Sequence, residues 1–124
     1  MLKTVVDGDS HILLSAEIQE GAAYTKDKQY FKEFGATTAV TLRMTQEWFG
    51  SGRIVVVDAW FGSFKMAYAM MDNGLYVVAN VKNNTKRFPK EIIKEVLHTR
   101  GDVKHMKVQV EGGHTIYASG HCDI

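Results

Sequence analysis

The sequence has little cysteine, little proline and almost no net charge. Its 124 residues include one cysteine, Cys122, and one proline, Pro89. A single cysteine excludes an internal disulfide framework and any zinc site built only from cysteines, which is typical of a protein from a reducing compartment. Fifteen Lys and Arg against fourteen Asp and Glu give a formal charge of +1. The overall charge therefore neither favours nor excludes a nucleic-acid partner, and any basic surface must be local.

Long hydrophobic runs are also absent. No stretch approaches the roughly 18 apolar residues that span a bilayer, and the first residues, 1–7, lack the basic-then-apolar layout of a secretory signal. The composition, 45% hydrophobic and 23% charged, is that of an ordinary globular chain. The sequence therefore predicts one intracellular, non-secreted domain over residues 1–124, without membrane contact.

Strand and helix patterns interleave along the chain. Two apolar runs, 2–7 and 11–18, flank a Gly-Asp-Ser turn and predict an antiparallel hairpin. Helical spacing of apolar residues predicts helices over 25–34, 36–44, 64–72 and 90–97. Further strands are predicted over 53–58, 75–81, 104–110 and 115–120. This order predicts an α/β fold with a mixed sheet, packed helices and a C-terminal β-hairpin.

The central part of this pattern has two distinctive features. Residues 54–57 are four consecutive β-branched apolar residues, which is typical of a central strand that is buried on both faces. Ser63 is placed to cap the helix over 64–72, and Asn73-Gly74 is placed to end it.

Two carboxylates end predicted strands. Asp7 ends the first strand and Asp58 ends the central strand, and functional sites in open α/β sheets lie at strand ends. If these strands are neighbours, Asp7 and Asp58 converge on a site for a hard cation, Mg²⁺ or Mn²⁺, of the kind used in two-metal phosphoryl transfer. The alternative is structural, with Asp58 accepting hydrogen bonds from the backbone of Trp60 or Phe61 and Asp7 opening the hairpin turn. Asp9 is a rival to Asp7, because alternate residues of an extended segment face the same side.

A basic segment follows the second half of the sheet pattern. Five cations lie within thirteen residues: Lys82, Lys86, Arg87, Lys90 and Lys94. They predict either contacts to a phosphate backbone or a solvated loop and helix face. Trp60 and Phe61 similarly predict either stacking on bases or packing under the next helix.

A zinc site is a further possibility that the spacing disfavours. The candidates are His105, His114, His121 and Cys122, at spacings of nine, seven and one. This is not a standard ligand pattern, and adjacent residues rarely bind one tetrahedral ion.

One block of the sequence resembles the piggyBac transposase family around that family's second catalytic aspartate. The block consists of Asp58-Ala59-Trp60-Phe61-Gly62-Ser63, Ala67, Ala69, Gly74-Leu75-Tyr76, Val81-Lys82-Asn83, Lys86 and Pro89. Upstream, the strand that ends in Asp7 and the strand that closes at Glu20-Gly21 resemble the segment with the first catalytic aspartate. The stretches 35–38 and 48–53 are similar to piggyBac-derived domains, so the resemblance extends over roughly residues 2–120.

The resemblance implies part of an RNase H-like catalytic domain of a cut-and-paste DNA transposase. In such enzymes three carboxylates hold two Mg²⁺ or Mn²⁺ ions, and Asp7 and Asp58 match the first and second carboxylates. The resemblance also implies DNA as partner, contacted by Lys82, Lys86, Arg87 and Lys90, and a nuclear location.

The chain departs from the family in ways that affect its expected activity. The family's third aspartate lies further downstream at the start of a helix, whereas Asp123 directly follows the predicted hairpin. We therefore expect a truncated catalytic domain that is inactive alone and that is prone to self-association through exposed sheet surface. The alternatives are a non-catalytic DNA- or protein-binding remnant of a transposase and a small α/β protein whose likeness is coincidental.

Overall fold

The computed structural model describes residues 1–82 and 84–123. These residues fall into two units, Met1–Val81 and Lys82–Ile124, each with its own packing. The order of strands and helices confirms the α/β class. The strands form three two-stranded sheets, one parallel and two antiparallel, instead of one continuous sheet.

The first unit begins with the predicted hairpin. Strands β1 (Leu2–Val6) and β2 (Leu13–Ile18) are antiparallel, with Leu2 opposite Ile18. The turn between them is closed by backbone hydrogen bonds from the N–H of Asp7 to the carbonyl of Ile12 and from the N–H of His11 to the carbonyl of Asp7.

Three helices follow the hairpin. The helix predicted over 25–34 is instead two short helices, α1 (Ala22–Thr25) and α2 (Phe31–Phe34). Tyr30, directly before α2, has a φ of 68°, and a left-handed residue cannot continue a right-handed helix. Helix α3 (Ala36–Thr45) matches its prediction to within one residue and is followed by a 3₁₀ turn at Gln46–Trp48.

The rest of the first unit is a β-α-β segment. Strands β3 (Ile54–Val57) and β4 (Tyr76–Ala79) are parallel and in register, and helix α4 (Phe64–Asp72) connects them. The Ser63 hydroxyl accepts a hydrogen bond from the Met66 N–H at 3.0 Å, which confirms Ser63 as the N-cap of α4.

The core of this unit lies on one side of β3 and β4. It is formed by Leu42, Met66, Ala69, Met70 and Leu75, and the partly buried Val55, Val57, Val77 and Ala79 pack against it. The alternate residues of β3, Ile54 and Val56, are exposed. The prediction of a strand buried on both faces is therefore wrong, because a period of two sends successive side chains to opposite faces and helices cover only one of them.

The second unit contains one helix and one hairpin. Helix α5 (Lys90–Val96) packs on the antiparallel strands β5 (Val103–Gln109) and β6 (Thr115–His121). A short 3₁₀ turn at Glu111–Gly113 joins the two strands. The predicted C-terminal hairpin and the helix before it are thus confirmed.

Packing in this second unit depends on Gly120. A Cβ atom at Gly120 would overlap the side chain of Ile93, which is the buried residue of α5.

Among the described residues of the whole chain, no helix is long and apolar enough to cross a membrane.

Candidate functional site

Asp58 directly follows β3, and its side chain closes the next turn. Its Oδ1 accepts a hydrogen bond from the backbone N–H of Trp60 at 2.9 Å. Its backbone carbonyl accepts from the N–H groups of Phe61 and Gly62, at 3.2 and 3.0 Å. The side chain has no other hydrogen bond to a described residue, and Asp58 is exposed. The structural role is thereby confirmed for Oδ1, while the second carboxylate oxygen is left accessible to a ligand.

The turn after Asp58 packs tightly on the end of the neighbouring strand. Asn80 directly follows β4, and its N–H donates to the carbonyl of Val57 at 3.3 Å. A Cβ atom at Gly62 would overlap the carbonyl oxygen of Asn80. Only glycine at position 62 therefore lets the turn approach β4 this closely. This close packing positions the turn that begins at Asp58.

A buried cation holds the aromatic part of the same turn. Lys3 of β1 is 8% exposed, and its Nζ lies 3.3 Å from the centroid of the Trp60 ring and 5.1 Å from that of Phe61. The two rings contact each other edge to face, with centroids 4.7 Å apart. A cation on the face of a tryptophan is attracted by the partial negative charge of the ring face. The contact of Lys3 with Trp60 therefore stabilises the packing of the turn against β1.

Asp7 has a different role in the structure. Its Oδ2 accepts hydrogen bonds from the hydroxyl and the N–H of Ser10, at 2.6 and 2.7 Å. The Ser10 hydroxyl is the main cause that lowers the pKa of the Asp7 carboxyl below its ordinary value, and the nearby charge of Arg53 lowers it further. These bonds hold the turn between β1 and β2, as the structural alternative predicts for Asp7.

Asp7 and Asp58 follow strands of two different sheets, β1–β2 and β3–β4. Lys3, at the other end of β1 from Asp7, contacts the turn after Asp58. Shared binding of one ion by Asp7 and Asp58 stays a prediction.

The structure shows no assembled metal centre within residues 1–82 and 84–123. No group of three His, Cys, Asp or Glu side chains in these ranges could hold an ion. Among the zinc candidates, His105 exchanges a 2.7 Å hydrogen bond with Ser119, and His121 lies 3.9 Å from Asp123. A divalent ion bound here would thus have Asp58 as a possible ligand but not a full set of carboxylates.

The basic segment lies at the start of the second unit. Lys82, Lys86 and Arg87 are exposed, and Lys90 is partly buried at the start of α5. Lys90 Nζ lies 4.0 Å from a carboxylate oxygen of Glu91, at the limit of an ion pair. Asn83, which the resemblance includes, lies outside the described residues. The exposed side chains of Lys82 and Lys86 can meet a polyanion from solvent.

Two contributors to this site were missed by sequence reasoning. Lys3 stands in an alternating strand, where a lysine usually faces water, so no local pattern predicts its position on Trp60. Asn80 carries a readable signal, because it ends the strand parallel to the one that Asp58 ends, and the carboxyl ends of parallel strands meet at one edge.

A family comparison assigns the class of protein. The sequence model of the family described as Transposase IS4 matches residues 1–119. The chain therefore belongs to this family of DDE transposases, and the transposase part of the resemblance is confirmed. No curated protein and no solved structure matches the chain.

Proposed function

We propose that this chain carries part of the RNase H-like catalytic domain of a piggyBac-like, cut-and-paste DNA transposase, and that it does not cleave DNA alone. The observation that carries the proposal is the position of Asp58 after the first strand of a parallel β-α-β segment, within a chain of the transposase family. Catalytic groups of open α/β sheets lie at this edge. The piggyBac assignment adds the sequence Asp58-Ala59-Trp60-Phe61-Gly62-Ser63 to that geometry.

The proposed inactivity follows from the number of available ligands. A divalent ion in such a site activates the attacking oxygen and stabilises the leaving oxygen of a phosphodiester. Asp58 offers one carboxylate oxygen beyond its hydrogen bond to Trp60, and no group of three His, Cys, Asp or Glu side chains among the described residues could hold an ion. The residues therefore do not fit a complete two-metal centre, and losing a ligand of this kind lowers a rate by orders of magnitude.

Metal titration tests the role of Asp58. We expect weak binding of Mn²⁺ or Mg²⁺ by calorimetry, and we expect Asp58→Asn to remove it. Asp72→Asn is the matched control, because Asp72 is an exposed carboxylate at the end of α4 in the same unit. Asp7→Asn separates the two candidate ligands. Loss of binding on Asp7→Asn would restore the shared site, and binding unchanged by Asp58→Asn would remove Asp58 from the proposal.

The proposed partner is DNA, held by the basic segment that includes Lys82, Lys86, Arg87 and Lys90. Residues 82–124 carry eight Lys and Arg against five Asp and Glu, whereas residues 1–81 carry seven against nine. The excess of positive charge therefore lies in residues 82–124, which include this segment. Such charge binds phosphates without reading sequence, and a DNA partner is the reason for proposing a nuclear location.

Fluorescence anisotropy with a labelled duplex tests this interface. Replacing Lys82, Lys86 and Lys90 by Gln should weaken binding and reduce the slope of log K against log salt by about 0.9 per lost phosphate contact. Lys26, Lys32 and Lys65 provide a matched triple control, because they are exposed lysines of the first unit. An equal loss of DNA affinity in both triple variants would mean that binding depends on general positive charge and not on this segment.

A non-catalytic binding remnant is the second candidate function. Two observations favour it: residues 1–82 and 84–123 hold no cluster of three metal-ligating side chains, and the basic segment is exposed. DNA binding that persists in Asp58→Asn, with no Mn²⁺ or Mg²⁺ binding that depends on Asp58 in the calorimetric titration, supports this candidate. Plasmid nicking that Asp58→Asn abolishes supports a residual enzyme instead.

A further inference from the structure

Glu17 stands opposite Lys3 in the first hairpin, but it is paired with other cations. Lys3 and Glu17 are cross-strand partners in β1 and β2, so their side chains leave the same face of the hairpin close together. Opposite charges in such a pair attract each other. Glu17 nevertheless binds Arg43 of α3 and Lys28, with nitrogen–oxygen distances of 2.6 and 3.3 Å. The nearest carboxylate to Lys3 along the strand pair is thus already occupied.

Arg43 binds both carboxylate oxygens of Glu17. Its Nη2 donates to Oε1 at 2.6 Å and its Nε donates to Oε2 at 2.9 Å, which is the paired geometry that a planar guanidinium provides. Its Nη1 donates to the backbone carbonyl of Gln29 at 2.8 Å, so Arg43 is itself fixed. The side chains of Arg43 and Glu17 are only 14% and 20% exposed, so solvent screens this pair less than a surface pair. Another cation would have to compete with Arg43 for Glu17.

Trp60 connects Lys3 to Asp58. Lys3 Nζ lies 3.3 Å from the centroid of the Trp60 ring, and the backbone N–H of Trp60 donates to Oδ1 of Asp58 at 2.9 Å. The same residue therefore carries the contact with the cation and the hydrogen bond that orients the carboxylate. A hydrogen bond to a charged group contributes more than the attraction of a cation to a ring. Lys3 should therefore move to Glu17 whenever Glu17 is charged and not bound by an arginine.

We propose that Arg43 is a positioning residue for Asp58. Because Arg43 occupies Glu17, Lys3 stays on the aromatic ring of the turn. The turn then holds Oδ1 of Asp58 on the Trp60 N–H and leaves the other carboxylate oxygen accessible to a ligand. The consequence for metal binding rests on the proposed function of Asp58, whereas the coupling from α3 to this turn does not.

Two variants that break the same ion pair test the proposal, because they should have different effects at Asp58. Arg43→Gln leaves Glu17 charged, so Lys3 should move to it. Exchange of the Trp60 amide hydrogen, measured by NMR, should then become about fivefold faster or more. Glu17→Gln is the matched control, because it breaks the same pair but also removes the carboxylate that would attract Lys3. It should leave exchange of the Trp60 amide hydrogen unchanged.

The amide hydrogen of Met66 separates this local change from a loss of overall stability. Its N–H donates to the Ser63 hydroxyl at 3.0 Å in the same unit, and its exchange should accelerate less than that of Trp60 in Arg43→Gln. Arg43→Lys is a milder variant, because lysine keeps the charge but cannot bind both oxygens in a plane. It should act in the same direction by a smaller factor. Adding Glu17→Gln to either variant should restore slow exchange.

Titration with Mn²⁺ extends the test to the proposed metal ligand. Arg43→Gln should weaken Mn²⁺ binding and Glu17→Gln should not. Absence of Mn²⁺ binding by the unchanged protein would overturn the proposed role of Asp58, and hydrogen exchange would still decide the positioning role of Arg43. Unchanged exchange of the Trp60 amide in both Arg43 variants, or equal acceleration in Glu17→Gln, would overturn that positioning role.

Discussion

The two units of the chain differ in how they are stabilised. The first unit buries Leu42, Met66 and Met70 completely and carries the Glu17–Arg43 ion pair, whereas Ile93 is the buried hydrophobic residue among the described residues of the second. The second unit has the greater share of positive charge. Burial of apolar surface is the main source of stability, so this difference indicates that the first unit supports the carboxylate site and that the second mainly offers a charged surface.

The largest expected effect comes from the core of the first unit. Leu42 is fully buried among Met66, Met70 and Leu75. Leu42→Ala should lower the free energy of unfolding by about 3 kcal/mol, because it removes buried methyl groups and leaves a cavity. Urea denaturation followed by circular dichroism measures the change.

The corresponding change in the second unit sharpens the comparison. Ile93→Ala should lower the stability of α5 and the β5–β6 hairpin, as followed by circular dichroism. It should leave the unfolding transition seen by tryptophan fluorescence unchanged, because both tryptophans, Trp48 and Trp60, lie in the first unit. A single loss of all signals in both variants would contradict independent stabilisation of the two units.

A pair of glycine substitutions compares the rigidity of the two units. A Cβ at Gly62 meets the backbone carbonyl of Asn80, whereas a Cβ at Gly120 meets the side chains of Ile93 and Leu97. Side chains can rotate away but a paired backbone cannot, so Gly62→Ala should cost about 2–3 kcal/mol and Gly120→Ala less. Thermal unfolding of the two variants gives the order, and the reverse order would contradict this view of the turn after Asp58.

An ion pair of the first unit predicts a pH dependence. Arg43 donates two hydrogen bonds to Glu17, at 2.6 and 2.9 Å, and Lys28 donates another at 3.3 Å. The Arg43 hydrogen bond is the main cause that lowers the pKa of Glu17 below its ordinary value. Since the folded state favours the ionised carboxylate, the contribution is present above the ordinary pKa and is lost as pH falls through the folded-state pKa.

Glu17→Gln should therefore flatten the acid side of the stability profile. The expected loss at neutral pH is about 1–2 kcal/mol, because the variant leaves Arg43 without its charged partner. Glu47→Gln is a suitable control, since Glu47 is an exposed carboxylate of the same unit. Equal flattening in both variants would assign the effect to general charge instead of to this pair.

The sequence predicts the local structure of this chain better than its site. Ser63, Asn73 and Gly74 carry the start and end of α4 in their own chemistry, so those bounds are predictable from neighbours in sequence. Val56 is different, because whether a strand residue is covered depends on which helices pack there. Asp7 shows the same limit, since its position at the end of a strand is local information, whereas which strands become neighbours is not.

Lys3 gives the smallest expected effect and links the hairpin to the turn after Asp58. Its Nζ lies 3.3 Å from the Trp60 ring centroid, and such a contact contributes about 0.5–2 kcal/mol. Lys3→Met keeps a long side chain but removes the charge, so it should lower stability within this range and shift the fluorescence of Trp60. Lys3→Arg should restore much of the stability and of the fluorescence, because a guanidinium also stacks on an aromatic face.

The fluorescence is measured in a Trp48→Phe background, which removes the other tryptophan, so that the signal reports Trp60 alone. If Lys3→Met leaves that signal unchanged, the cation does not hold the turn, and Gly62 against Asn80 remains as the contact that positions Asp58.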